Sequence, residues 1–355
     1  MSYIDVVERM NANIAFSSND PRASRDTAKM VETGVRKLCQ LYTKLIAEGS
    51  SGAPPSGPGI KSPGFPSYLY DSLDPLVAAL RALPLPATHP SHPAAPAILK
   101  TLTEAQKGYG EMRGAFCKKC LEAMGGRRII DRIETIPGIQ GGKEIGVWIE
   151  GITTVAESEY QLLGRLAPLP GNTTIQPTFA TLLTPLVTMT STTLTLLINL
   201  IKGSLTKYTF LALAAYEALG DVQLNWDGVI RKTGRRENEV KDSVNSLRAV
   251  CLRSFPEFLL DVRAAGTKTN VEVGTGLHEI TTLAASYLSQ LPEVLDAVGS
   301  ALVTLGDGMW KMGEGAGKVF GKSDQDDEKV VIEHFICSWP LFRATLAPNT
   351  PQTTS

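Results

Sequence analysis

With 355 residues, 43% of them apolar, the chain is long enough for one large core or two or three modest ones and is not disordered as a whole. Its 35 Lys and Arg against 36 Asp and Glu leave no global field to steer it toward nucleic acid or an anionic membrane, so any such binding falls to a local patch. Five cysteines, odd in number and without regular spacing, exclude a disulfide framework, and MSYIDVVERMNANIAF lacks the basic region and apolar core of a secretory signal. A cytosolic protein is expected, which makes the Asn172-Thr173-Thr174 sequon an accident of composition.

In chain order, residues 3–47 read as two helical pieces broken near Ser17 to Pro21, with Val31, Val35, Leu38, Tyr42, Leu45 and Ile46 striping the second. GSSGAPPSGPGIKSPGFP (49–66) is a Gly/Pro/Ser spacer that cannot build a core. Asp74-Pro75 before LVAALRAL predicts a short helix, with the aspartate capping and the proline at its first position. After a second Pro-rich break at 83–96, Leu99, Leu102, Ala105, Tyr109, Met112, Phe116, Cys120 and Met124 keep helical spacing until Gly125-Gly126.

The stretch 141–219 is the most informative. Trp148, Ile152, Val155, Ala156, Tyr160, Leu163 and Ala167 mark an inner face, and Glu150, Thr154, Glu157, Ser158, Gln161 and Arg165 an outer one. Pro168 and Pro170 stop that helix, and the chain folds back into a second one. Past Gly220, Trp226 and Asp227 open a helix carrying Val240, Val244, Leu247, Cys251, Phe255, Phe258, Leu259 and Val262. Another runs from Leu277 through Tyr287, Leu291, Leu295 and Val298 to Leu305, kinked at Pro292. A Gly- and charge-rich stretch at 306–327 precedes a brief helical restart at 328–336 and an aperiodic tail. No segment sustains period-two alternation, so the expectation is an all-α array of antiparallel hairpins.

Candidate chemistry is sparse. Ala316-Gly317-Lys318-Val319-Phe320-Gly321-Lys322-Ser323 ends like a phosphate-cradling loop, but its opening glycine is missing, no strand precedes it, and acids follow it. Cys117 and Cys120 form a single Cys-x-x-Cys inside a helix; Cys120 reads as core and Cys117 as a bystander. His89, His92, His278 and His334 form no constellation with a nucleophile, and His89 and His92 read as solvated loop residues. Glu157 and Glu159 point to different sides of their helix and cannot act as a pair. No catalytic, cofactor or metal residue is assigned.

The uncharged run 166–201 is long enough to span a bilayer, yet its threonines, Pro185 and one-sided apolar positions Leu186, Met189, Leu194, Leu197, Ile198 and Ile201 fit a helix buried between protein neighbours. Basic clusters at Lys118-Lys119 and Arg127-Arg128 read as solvated faces. Arg231, Lys232, Arg235 and Arg236 form a weak candidate surface for anionic head groups, diluted by Glu237 and Glu239.

Read together, IIDRIETI (129–136), IQGGKEIGVWIEGITTVAESEYQLLGRLAPL (139–169), ATLLTPL (180–186) and IKGSLTKYTFLALAAYEAL (201–219) resemble the Exo-seventy family, the seventy-kilodalton exocyst subunit, and its fungal members most. GDGMWKMGEG (306–315) and VVIEHF (330–335) follow in the family's order. The resemblance implies an elongated rod of stacked helical bundles, similar to cullin repeats, without a catalytic centre. It implies a role in tethering secretory vesicles at the plasma membrane, with other exocyst subunits, Rho-family GTPases and phosphoinositides as partners and no nucleic acid. Location would be cytoplasmic and peripheral at sites of polarised secretion such as the bud, bud neck or hyphal tip.

On this reading 1–48 is the end of an N-terminal helical region, 49–66 a linker, 67–336 the helical rod, cut short, and 337–355 a tail outside the family pattern. The main lipid-binding bundle of the family is expected to be missing, so no specific lipid-binding residue is carried over. A helical adaptor outside the exocyst, or a nucleotide-binding protein using the 316–323 loop, are the alternatives.

Overall fold

The computed structural model describes residues 3–16, 21–52, 64–83, 92–267 and 279–305, and among these it is all-α. The helices are α1 (Tyr3–Phe16), α2 (Pro21–Gly49), α3 (Tyr70–Ala82), α4 (Ala95–Met124), α5 (Arg127–Arg132), α6 (Gly138–Leu166), α7 (Asn172–Gly203), α8 (Leu205–Thr233), α9 (Glu239–Thr267), α10 (Glu279–Gln290) and α11 (Leu295–Leu305). Short 3-10 turns at Ser67–Leu69 and Leu291–Val294 lead into α3 and α11. Pro292 lies in the second of these turns, at the predicted kink. The loop-like motif at 316–323, His89, His278, His334, most of the 49–66 linker and the tail lie outside the described residues.

Two compact units can be told apart. The first takes Met1–Arg127, Trp148–Thr192 and Leu224–Glu239; the second takes Arg128–Val147, Thr193–Gln223 and Val240–Ser355. Helices α6, α7 and α8 therefore contribute residues to both.

In the first unit α1 and α2 form a hairpin, and Val31, Val35, Leu38, Tyr42 and Ile46 are buried along α2 as its stripe predicts. The Tyr42 hydroxyl donates to the Leu166 carbonyl at 3.1 Å, and the Arg81 guanidinium donates to the carbonyls of Ala167, Gly164 and Arg165. These donors satisfy carbonyls orphaned where Pro168 and Pro170 end α6. The chain then reverses into α7, and Tyr160 meets Phe179 edge-on at 4.9 Å.

Two helix crossings depend on glycine for close approach. In the first unit, a Cβ on Gly110 would lie 2.8 Å from the Thr178 carbonyl oxygen, and one on Gly114 2.5 Å from that of Leu182, so α4 and α7 touch backbone to backbone. In the second unit, Gly142 faces Ala214 and Ala215, and Gly146 faces Ala218, so α6 and α8 run parallel through matched small residues. A Cβ on Gly142 would sit 2.6 Å from both the Ala214 Cβ and the Ala215 backbone nitrogen. Alanine in a helix interior gains about 1 kcal/mol over glycine, whereas overfilling a packed contact costs about 1–3 kcal/mol. Because the obstacle includes backbone, the clash wins, and Gly142→Ala is expected to lower stability in urea unfolding. Gly220→Ala, with nothing within 4 Å of its Cβ, is expected to raise it. Equal and positive shifts at both positions would refute the close crossing.

Several sequence expectations are corrected. Helix α3 begins at Tyr70, not at Asp74, and Pro75 lies inside it. The bond its missing N–H forgoes, to the Asp71 carbonyl, falls on the exposed side, and Asp74 pairs with Arg165 instead of capping. Gly220 and Trp226 sit within α8, Trp226 fully buried, so Trp226 and Asp227 open nothing. The break comes at Gly234, whose φ of 72° suits glycine.

Leu99 is exposed and Ile98 takes the inward position, while Leu295 is exposed on α11. Cys117 is as buried as Cys120, since it lies on the same inward face as Tyr109 and Arg113. His92 is buried, its Nε2 3.4 Å from the Asn11 carbonyl oxygen, and not solvated.

Along α7, Leu182, Leu183, Leu186, Thr190, Leu194, Leu197 and Ile201 are fully buried, while Thr184, Thr188, Thr192 and Thr195 face outward. The hydroxyls of Thr184, Thr188 and Thr192 donate to carbonyls four residues back. By length and composition α7 could cross a membrane, but the apolar side that such a reading would give to lipid is covered by protein.

Candidate functional site

The four cations singled out in the sequence occupy the α8–α9 corner of the first unit. Arg231 and Lys232 stand in the last turn of α8, where positive charge complements the exposed carbonyls of a helix end. The turn is built locally. The Thr233 hydroxyl donates to the Ile230 carbonyl at 2.6 Å and accepts from the Arg235 N–H, and the Gly234 N–H donates to the Arg231 carbonyl. A Cβ at Gly234 would meet the end of the exposed Gln176 side chain at 2.4 Å, which can swing aside, so it is the left-handed backbone that calls for glycine there. Asn238 reaches back to Asp227 and pins the far side of the corner.

The cations do not form an open patch. Lys232 Nζ lies 3.7 Å from Glu157 and 5.0 Å from the Tyr160 ring centroid. The Arg235 guanidinium takes Glu239 at 2.8 Å and Glu237 at 3.2 Å. Arg231 and Arg236 are exposed. With three carboxylates set among four cations, the corner can recognise an anionic surface only weakly, since exposed pairs contribute little and salt screens them. Lys118 likewise has Glu122 at 3.7 Å on its own helix.

Sequence reasoning passed over the charged site that is buried. Arg113 and Glu159 are 0% and 1% exposed in the first unit. Arg113 Nε donates to Glu159 Oε2 at 3.0 Å, its Nη2 to Glu159 Oε1, and its Nη1 to the Gly49 carbonyl at 2.9 Å. The rings of Phe65 and Phe116 stand 5.5 and 5.2 Å from the guanidinium. One side chain thus joins α4, α6 and the end of α2.

Burial is the largest single influence and works against the Arg113 charge, but the Glu159 hydrogen bonds and the charge of Glu159, with smaller help from Cys117 and Tyr109, together outweigh it and hold the pKa above the usual value. Burial raises Tyr109 and Cys117 well above their ordinary ranges, and the Glu159 charge adds to it. Cys39, too, is pushed up to about 11 by burial. Such thiols stay protonated and poorly nucleophilic near neutral pH. Among the described residues, no group of His, Cys, Asp and Glu could hold a metal ion. The signal that would have found the pair is a cation in one apolar stripe (Tyr109, Arg113, Cys117) and an acid in another (Ile152, Ala156, Glu159, Leu163).

A family model described as the C-terminal part of the Exo70 exocyst complex subunit matches residues 143–338, more than half of the chain. Among solved structures, S. cerevisiae Exo70 with additional residues is similar with a TM-score of 0.63 at 14% identity, over 95% of this chain and 59% of that one. The crystal structure of the S. cerevisiae exocyst component Exo70p gives 0.58 at 14% identity, over 95% and 61%. The chain spans about three fifths of the length of the yeast chains it matches. At that identity the likeness shows the fold.

Proposed function

Because the chain belongs to the Exo70 family of exocyst subunits, we propose that it serves as a subunit of the exocyst, the complex that tethers secretory vesicles to the plasma membrane. The observation that carries this is the family match across 143–338, on a chain whose regular secondary structure among the described residues is all helical. Its role is that of a non-catalytic scaffold offering helix faces to other exocyst subunits and to Rho-family GTPases, at sites of polarised secretion. We place a helical region at 1–48, a linker at 49–66 and the family's helical array at 67–336.

Contact with phosphoinositide membranes is proposed as weak, carried by Arg231 and Arg236, because Lys232 and Arg235 already face carboxylates. The test is affinity purification of the tagged chain from a cell that makes the other exocyst subunits, followed by flotation of the product with phosphoinositide liposomes. The subunits are expected to co-purify, and flotation is expected to be slight and lost with added salt. A folded chain that recovers none of them would overturn the reading, and strong flotation at physiological salt would overturn its membrane part.

A further inference from the structure

In the first unit, α2 and α4 dispose of their outward charge differently. Along α4 the lysines answer acids one turn on: Lys100 meets Glu104 at 4.0 Å, Lys107 meets Glu111 at 3.7 Å and Lys118 meets Glu122 at 3.7 Å. A face paired within itself in this way suits water. The middle of α2 has no such arrangement. From Thr33 to Ala47 it carries Arg36, Lys37 and Lys44, all exposed, and neither Asp nor Glu. Among the described residues none of these three cations has a carboxylate partner.

Two of the cations alternate with exposed apolar side chains. Met30, 62% exposed, is followed by Lys37, then by Leu41, 47% exposed, and by Lys44. On a helix of 3.6 residues per turn these four fall within about 60° of one another, along a strip about 21 Å long. Their steps of seven, four and three residues are those by which one helix offers a seam to another. Acids close the strip at both ends. Asp26 stands 3.8 Å from Lys29 before it, and Glu48 accepts from the Tyr68 hydroxyl at 3.1 Å after it.

We propose that this face of α2 docks an acidic amphipathic helix of a partner protein, its carboxylates on Lys37 and Lys44 and its aliphatic side chains on Met30 and Leu41. Charge complementarity sets the sign of the partner, and the acid-free length sets its reach at about four turns. The spacing sets its form. An extended peptide places same-side groups about 6.6 Å apart, out of step with Lys37, which lies about 10.5 Å along the helix from Met30. A lipid surface fits less well, because docking in a bilayer calls for a continuous apolar face and this one is interrupted by cations and closed by acids. The assignment rests on α2 alone and stands whichever complex the chain enters.

The test is fluorescence anisotropy of the whole chain with a fluorescein-labelled helical peptide of about three heptads, Leu and Glu alternating along its seam and Ala and Gln elsewhere. Saturable binding that weakens with salt is expected, and a peptide with Lys in place of Glu should bind about tenfold more weakly or worse. Reversing both cations, Lys37→Glu with Lys44→Glu, should reduce affinity about tenfold or more. Leu41→Ser, at an exposed position and without change of charge, should reduce it several-fold, so one variant serves if the other fails to melt like the parent. Lys100→Glu with Lys107→Glu on α4 should leave it unchanged. Absence of saturable binding, affinity unchanged in a folded α2 variant, or an equal loss on α4 reversal overturns the proposal. So does equal binding of the same peptide broken by two central prolines, which would remove the helix from the argument. Flotation with phosphatidylserine vesicles that the α2 reversal abolishes, without peptide binding, would assign the face to a membrane instead.

Discussion

Arg113→Ala is expected to be among the most damaging single truncations in the first unit, costing about 3–5 kcal/mol. The loss is not the value of the ion pair as such, because an isolated buried pair roughly breaks even against apolar packing of the same volume. It arises because Glu159, 1% exposed, and the Gly49 carbonyl would keep their burial and lose their donor. Replacing both partners, Arg113→Met with Glu159→Leu, removes the stranded charge and should recover most of the stability. Urea unfolding of the two variants decides the matter. A single variant as stable as the parent, or a double variant no better than the single, would show that Glu159 reaches water.

Leu197→Asp should have an effect of the same order or larger. Leu197 is 0% exposed on α7, and losing a buried leucine side chain alone costs about 2–5 kcal/mol before the unpaired carboxylate is counted. Against a total stability of about 5–15 kcal/mol, that is enough to unfold the second unit. Its neighbour Leu196 is 42% exposed, so Leu196→Asp should shift the melting temperature little. The contrast is what separates a protein-covered helix from a membrane span, since lipid would penalise a charge at either position. A soluble, fully helical Leu197→Asp variant with unchanged melting would remove α7 from the core, and equal damage at both positions would return it to the bilayer.

Much of the fold was legible because long helices repeat their signal: the α2 stripe, the α6 inner face and the proline stop at Pro168 and Pro170 each rest on several residues agreeing. What was misread rests on single residues whose meaning depends on neighbours distant in sequence. Trp226 with Asp227 looks like a helix start, but α8 reaches them without a break, because the one glycine before them, Gly220, costs a helix only about 1 kcal/mol and the buried residues on either side, Leu219 and Val222, outweigh it. Pro75 looks like a helix start, but its missing donor falls on the exposed side. Arg113 and Glu159 were invisible as a pair, since 46 residues separate them and each is polar within its own stripe. The basic corner was found as residues but not as a balance of charge, because Glu157, which answers Lys232, comes from another helix.

The glycine notch between α6 and α8 also bears on slippage. Gly138, Gly142 and Gly146 recur every fourth residue, and Ala214 and Ala218 answer at the same interval. Moving α8 by one turn, about 5.4 Å, would bring Ala218 onto Gly142 and Ala214 onto Gly138, but it would also bring Val222 onto Gly146, which now leaves room only for an alanine. In the opposite direction Leu211 would arrive at Gly142. Either step sets a branched side chain on a glycine that now meets alanine, so the notch is closed at both ends and fixes its own register. Glu134 adds to this at the start of α8, taking Lys207 and the Tyr208 hydroxyl at 3.2 Å each. Exposed contacts of this kind contribute little to stability; the alignment of the two helices is held by side-chain size.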